Sequence, residues 1–218
     1  MRKSRDEIMG RLRAACPQLG AIEAGLEQLS VVPMDHLSPQ QMVDCFIEQA
    51  RLLSSDVYLP ESADDAIDLV MDLLGNNKRV MSWTFEHIPL PGLEAALGAK
   101  SIQVVSNRDE SVRVGITGAD AALASTGSLV LLTGEGKSQL ASLLPKVHIA
   151  VIRQDQILAD METWVELLHR QGLDAFQSTA SAMIISGPSR TADIAMELIL
   201  GMHGPGELHI IILEPACL

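Results

Sequence analysis

GITGADAALASTGSLVLL, residues 115–132, is the stretch whose reading decides the fold of this chain. Gly115 and Gly118 bracket Ile-Thr, a spacing that predicts a sharp turn, because glycine alone tolerates positive φ at little cost. Asp120 stands just past that turn. The residues that follow, Ala119, Ala121, Ala122, Ala124, Ser125 and Gly127, have almost no bulk, so the segment either packs closely under a neighbouring element or leaves room for a ligand. Close packing is the commoner reason. The run then becomes a continuous apolar strand, and the functional cleft is expected beside it. Its counterpart is SGPSRTADIAMELILGMHGPGELH, residues 186–209, where similar turns flank an expected helix over 191–201.

Outward from this stretch, the chain alternates helix and strand. A helix is expected over 5–15, with Ile8, Leu12 and Ala15 on one face and Ser4 as its cap. Residues 21–39 read as a linker. Ser38-Pro39 opens a helix over 40–53, and Ser62 caps another that runs to 74, with Asp64 and Asp65 in its first turn and Gly75 at its end. Further helices are expected over 91–97, 137–144 and 161–171. Strands are expected over 57–59, 79–83, 102–105, 147–152, 182–185 and 208–213. Short apolar strands without alternation imply a sheet covered on both faces. The expectation is therefore a three-layer α/β/α open, largely parallel sheet in residues 39–218, preceded by a helical arm and linker in 1–38.

Composition removes several classes of function. The formal net charge of −12 would repel a phosphate backbone, so nucleic acid is excluded as a partner. Hydrophobic residues at 47% and charged ones at 20% describe a chain with a real core. Aromatics are only 3%, so ten methionines and many aliphatic residues must fill it. No apolar stretch approaches the length of a membrane span, and the charged N-terminus lacks a signal-peptide centre, so a cytoplasmic location is expected. Cys16, Cys45 and Cys217 are far apart, which gives no clustered thiolates for an iron–sulfur site of the chain's own. The basic residues 2, 3, 5, 11 and 13 fit a solvated helix face or contact with an acidic partner.

In an open parallel sheet, ligands bind beyond the carboxyl ends of strands, and three glycine turns follow expected strands. Thr133-Gly134-Glu135-Gly136-Lys137-Ser138 ends like a phosphate loop, but Leu131 occupies the position of its first glycine, so a plain turn with an exposed Lys137 is favoured. In Ser186-Gly187-Pro188-Ser189-Arg190-Thr191, Ser189 is a natural cap and Arg190 pairs with Asp193, or Arg190 and the helix N-terminus together hold a carboxylate or phosphate. Thr117-Gly118-Ala119-Asp120 is the third turn, with Asp120 as a turn cap or as a general acid or base. Its Gly-Ala-Asp is similar to the acidic turn of ribose-phosphate isomerases. Taken together, the expected site has Asp120 as the catalytic group. Thr117, Gly118, Thr126, Gly127, Ser189, Arg190, Thr191 and Asp193 would bind a small carboxylate or phosphate on one sheet edge, with His203 a further candidate although its turn, after a helix and before a strand, is expected at the opposite edge. His148 reads as a core histidine. His203, Glu207 and His209 lack metal spacing, and no metal is expected.

GITGADAALASTGSLVL (115–131), LLPKVHIAVI (143–152), SGPSRTADI (186–194) and LGMHGPGELHIIIL (200–213) together resemble the lactate-utilisation protein C family, the LUD domain, in that family's order. RDEIMGRLRAA at 5–15 is similar to the helix that opens many members. One departure is Ser125, where many relatives carry an acidic residue before Thr-Gly, so no carboxylate role transfers there. The resemblance implies the fold of sugar-phosphate isomerases and coenzyme A transferases, a Rossmann-like sheet without the dinucleotide fingerprint. It also implies a component of L-lactate oxidation to pyruvate whose iron–sulfur partners carry the electrons, with no cofactor on this chain. A free-standing isomerase or acyl-coenzyme A enzyme and a non-catalytic anion-binding module are the alternatives, and a homo-oligomer stays open.

Overall fold

The computed structural model describes residues 2–15, 34, 37–105, 108–172, 179, 181–192 and 198–214. The chain divides into two units, Met1–Val31 and Val32–Leu218. In the first, helix α1 (Arg2–Ala15) carries Ile8 and Met9 exposed. It starts earlier than the Ser4 cap predicts. Cys16 and most of the expected linker lie outside the described residues.

The second unit opens on α2 (Pro39–Leu52), and its start is set locally. The Ser38 hydroxyl accepts from the Gln41 N–H while the Gln41 side chain accepts from the Ser38 N–H at 2.8 Å, with Pro39 in the first turn. Strand β1 (Asp56–Tyr58) follows, then α3 (Ala63–Leu74), capped by Ser62 and ended by Gly75 at φ 54°. Next come β2 (Arg79–Ser82), α4 (Leu93–Ala99), β3 (Gln103–Val105) and β4 (Val114–Thr117). Gly115 is therefore inside a strand rather than at the predicted turn. A Cβ there would stand 1.8 Å from the Ala141 carbonyl oxygen, so the glycine lets the next helix lie directly on the sheet.

Beyond β4 lie β5 (Ala121–Leu123), β6 (Ser128–Thr133), α5 (Leu140–Leu143), β7 (Val147–Arg153), β8 (Ile157–Leu158) and α6 (Met161–Arg170). The chain ends in β9 (Ser181–Ile185), β10 (Arg190–Ala192), β11 (Leu198–Leu200) and β12 (Glu207–Leu213). Six strands form a wholly parallel sheet in the order β1-β12-β7-β4-β2-β3. Their apolar side chains, from Val80 to Ile212, fill the main core. This is the expected α/β fold.

A second, four-stranded sheet, β8-β5-β6-β9, adds to it. Here β6 pairs antiparallel with both neighbours. Leu129 and Leu131 point into the main core, while Val130 and Leu132 pack under Trp164 and Leu168 of α6. That two-sided burial explains the uninterrupted apolar run 129–132, which sequence alone cannot distinguish from a parallel strand. The small residues before it serve packing. Gly127, at φ +63°, approaches the α2 backbone so closely that a Cβ would lie 2.3 Å from the Ala50 nitrogen.

One expected helix is replaced. The described residues of the span predicted as a helix over 191–201 fall in β10, β11 and the turn after β11, the two strands pairing antiparallel with Thr191 opposite Ile199. Asp193, and with it the expected Arg190–Asp193 pair, lies outside the described residues. The apolar spacing of the segment suits a helix, but the cluster Leu198-Ile199-Leu200 suits a strand equally, and pairing with 190–192 decides.

Candidate functional site

From β2 the chain passes to β3 on one side, and from β4 it passes towards β7 on the other, so the carboxyl ends of β2 and β4 bound a topological switch point. Crevices at such points are where open parallel sheets place ligands. Here Met81 and Ser82 at the end of β2, Thr84 just beyond it, Val105 of β3, and Leu140 and Ala141 of α5 form two walls of such a crevice, while Trp83 and the 117–120 turn after β4 stand beside it. The third wall is the turn 134–138, which β6 of the second sheet delivers to the same edge. Thr84 donates its N–H to the Gly136 carbonyl at 2.9 Å, and Trp83 donates Nε1–H to the Ser138 carbonyl at 3.1 Å. Gly136 adopts φ +72° with Thr84 Oγ1 2.4 Å from where a Cβ would be, which lets the turn close onto β2. The cleft so formed has a volume of ≈ 410 Å³ and is lined in part by Ser82, Thr84, Gly134, Gly136 and Ser138.

Beside this cleft stands the charge pair of the site. Asp120 Oδ1 accepts from Lys137 Nζ at 2.5 Å, and Oδ2 accepts the Leu132 N–H at 2.7 Å. Lys137 also lies over the Trp83 ring, 5.4 Å from its centroid. The two charged side chains are 22% and 18% exposed, so the pair is shielded but open to a ligand. Lys137 is thus not the exposed turn residue expected from sequence. Asp120 caps neither a helix nor a turn; it ties the start of β5 to the end of β6. Gly118 sits against the backbone carbonyl of His87, with 2.2 Å to a Cβ, so its role is close packing at this edge.

The remaining expected site residues are elsewhere. Thr126, Gly127, Ser189, Arg190, Thr191 and His203 gather towards the amino edge of the parallel sheet. Thr126 donates to Ser128 Oγ, which bonds Ser186 Oγ at 2.7 Å. Arg190 binds the Leu53 carbonyl and, at 3.0 Å, Ser54 Oγ, in the turn that precedes β1. Ser189 donates its N–H to the Pro205 carbonyl at 2.8 Å, and His203 lies in the loop that precedes β12. Thr117 is buried in β4, with its hydroxyl 2.8 Å from His148 Nε2. The three glycine turns therefore do not share one edge. The 117–120 and 133–138 turns meet, while the 186–191 turn joins 203–206 opposite them. The physical reason is that β9, which feeds the 186–191 turn, belongs to the second sheet, and its end pairs with the start of β6.

Sequence reasoning missed Lys137, Trp83 and Thr84 as site residues. The signal for Lys137 was its place directly after Gly136 in a strand-to-helix turn; for Trp83 and Thr84 it was their place at the end of an expected strand. Among the described residues, no group of three or more His, Cys, Asp or Glu is arranged to hold a metal. His209 instead contacts Tyr58, Asp56 and Glu207.

Residues 43–213 match the family described as LUD domain. The chain is 31% identical over 191 residues to lactate utilization protein C of Halalkalibacterium halodurans, covering 83% of each chain. It is 33% identical over 178 residues to lactate utilization protein C of Shouchella clausii, covering 77% of each. A crystal structure of a DUF162 family protein from Deinococcus radiodurans shares the fold, with a TM-score of 0.60 at 23% identity over 81% of this chain and 99% of that one. With its parallel sheet, its switch-point cleft and this match over most of its length, the chain belongs to the LUD domain family.

Proposed function

We propose that this protein is a component of a lactate-utilisation system, in which iron–sulfur partner proteins carry the electrons of L-lactate oxidation to pyruvate. The observation that carries the reading is the likeness to proteins named lactate utilization protein C along most of their length and its own. The cleft at the switch point supports a small carboxylate as its ligand. Lys137 stands beside the cleft, between its wall residues Gly136 and Ser138, and would turn its charge to a ligand there, while Ser82, Thr84 and Ser138 in the wall would supply neutral hydrogen-bonding groups. A ligand carboxylate that takes Asp120's place on Lys137 leaves the Asp120 carboxylate free to accept a proton from the neighbouring hydroxyl of a 2-hydroxy acid. The spacing of Cys16, Cys45 and Cys217 supports leaving electron transfer to partners.

Deleting the gene in its host and measuring lactate-dependent growth and lactate oxidation in extracts tests the reading. Loss of both, restored by the intact gene and not by a Lys137→Met copy, is the expected result. Oxidation that proceeds unchanged without the protein would overturn it. Thermal shifts with lactate and pyruvate, set beside phosphosugars and coenzyme A esters, separate this reading from a free-standing enzyme.

A further inference from the structure

A second cleft, of ≈ 250 Å³, opens at the amino edge of the sheet, where the 186–189 turn faces the 203–206 loop. Leu143, Ile184, Pro188 and Leu208 contribute apolar wall, and Leu143 and Ile184 are exposed at 41% and 49%. His148 forms part of the wall although it is only 1% exposed. Burial first, and the nearby charge of His209 second, lower its pKa to about 3, so the ring is neutral at pH 7. A neutral imidazole has one N–H and one lone pair, and its neighbour decides which nitrogen has which.

That neighbour is Thr117, wholly buried, with Oγ1 2.8 Å from Nε2. Among the described residues His148 is the hydroxyl's one hydrogen-bond partner. If Nε2 carried the hydrogen, the Thr117 O–H would be stranded in the core without an acceptor. The hydroxyl therefore donates to Nε2, and the ring hydrogen sits on Nδ1. Among the described residues, Ser55 Oγ is the sealed side-chain polar atom without a partner. Among the described residues Nδ1 has no hydrogen-bond partner, and the cleft whose wall the ring forms is the opening beside it.

We propose that this cleft binds a compact, uncharged molecule that offers a carbonyl oxygen to Nδ1–H of His148 and an apolar frame to Leu143, Ile184 and Pro188. An anion is disfavoured because no lysine or arginine lines the cleft: Lys146 reaches the Gly201 carbonyl and Arg190 the Leu53 carbonyl outside it, and the other titratable side chain of the wall is the imidazole of His203. A carboxylate entering it would lose hydration without gaining an ion pair to a lysine or arginine of the wall. The site is at the opposite sheet edge from Lys137 and stands independently of the lactate reading.

The test uses the full chain and a matched pair of probes, benzamide and benzoate, which share ring and size but differ in charge. Imidazole ¹⁵N spectra at pH 8 are expected to show His148 as the Nδ1–H tautomer. Benzamide should shift that resonance and the methyls of Leu143 and Ile184 saturably, with benzoate at least about tenfold weaker. An Nε2–H tautomer, benzoate binding as tight as benzamide, or no response to benzamide up to its solubility would each overturn the proposal.

Discussion

At the scale of single residues, the site turns on one ammonium and one carboxylate held together by the fold. Lys137→Met keeps a similar stem over the Trp83 ring but removes the charge. It is expected to weaken pyruvate binding, read by calorimetry, by about tenfold or more. It also leaves the partly buried Asp120 carboxylate without its cation, so urea unfolding should report a loss of about 1–3 kcal/mol. Adding Asp120→Asn should recover part of that loss without restoring binding, because the uncompensated charge is gone. Arg190 behaves differently. Its guanidinium serves the Leu53 carbonyl, so Arg190→Ala should lower the melting temperature modestly and leave pyruvate affinity unchanged; weakened binding would return it to the ligand site. His148 sets a pH dependence. Its folded pKa, about 3, lies below the ordinary 6.5, so between those values the unfolded chain binds a proton that the folded chain refuses. Stability contributed by the neutral ring is complete above pH 6.5 and falls on acidification by up to about 1.4 kcal/mol per pH unit. His148→Gln should remove that share of the slope between pH 7 and pH 5.

At the scale of elements, what could be read from sequence is what local chemistry determines. The starts of α2, α3 and α6 follow from Ser38, Ser62 and Asp160, each of which accepts a backbone N–H three residues on. Strands β7 and β12 follow from apolar runs that only a doubly covered sheet can bury. The second sheet was not legible, because β6 is covered by the main core on one face and α6 on the other and so shows no alternation. Nor was the β10–β11 pair, whose residues suit helix and strand alike. The site was half legible for the same reason. Asp120 is marked by its glycine turn, whereas its partnership with Lys137 exists only because β6 returns the chain to the same edge. Gly115 illustrates how strictly these elements fit. With the Ala141 carbonyl oxygen 1.8 Å from where a methyl group would sit, Gly115→Ala must push α5 off the sheet. A loss above about 3 kcal/mol, or no folded protein, is expected, and a melt within a degree of the parent would refute the packing.

At the scale of the whole molecule, the parallel sheet separates two chemistries by its polarity. Its carboxyl edge holds the Asp120–Lys137 pair and its amino edge the neutral His148 cleft, with the second sheet reaching both. This body starts before the family match at residue 43 and before the expected boundary at 38/39. Met34 is 5% exposed and belongs to the main core, Leu37 donates its N–H to the Met34 carbonyl, and Ser38 closes the capping box of α2. Two truncations separate the alternatives. A chain that begins at residue 32 retains all three contacts and should unfold cooperatively, with a well-ordered core by near-ultraviolet circular dichroism. A chain that begins at residue 40 loses a buried methionine and the helix cap, worth about 2–5 and about 1 kcal/mol respectively when either is removed from a protein. The shorter chain should therefore be less stable than the longer one by at least about 2 kcal/mol in urea. Equal midpoints would place the functional boundary of the domain at 38/39 and leave Met34 with no part in its stability.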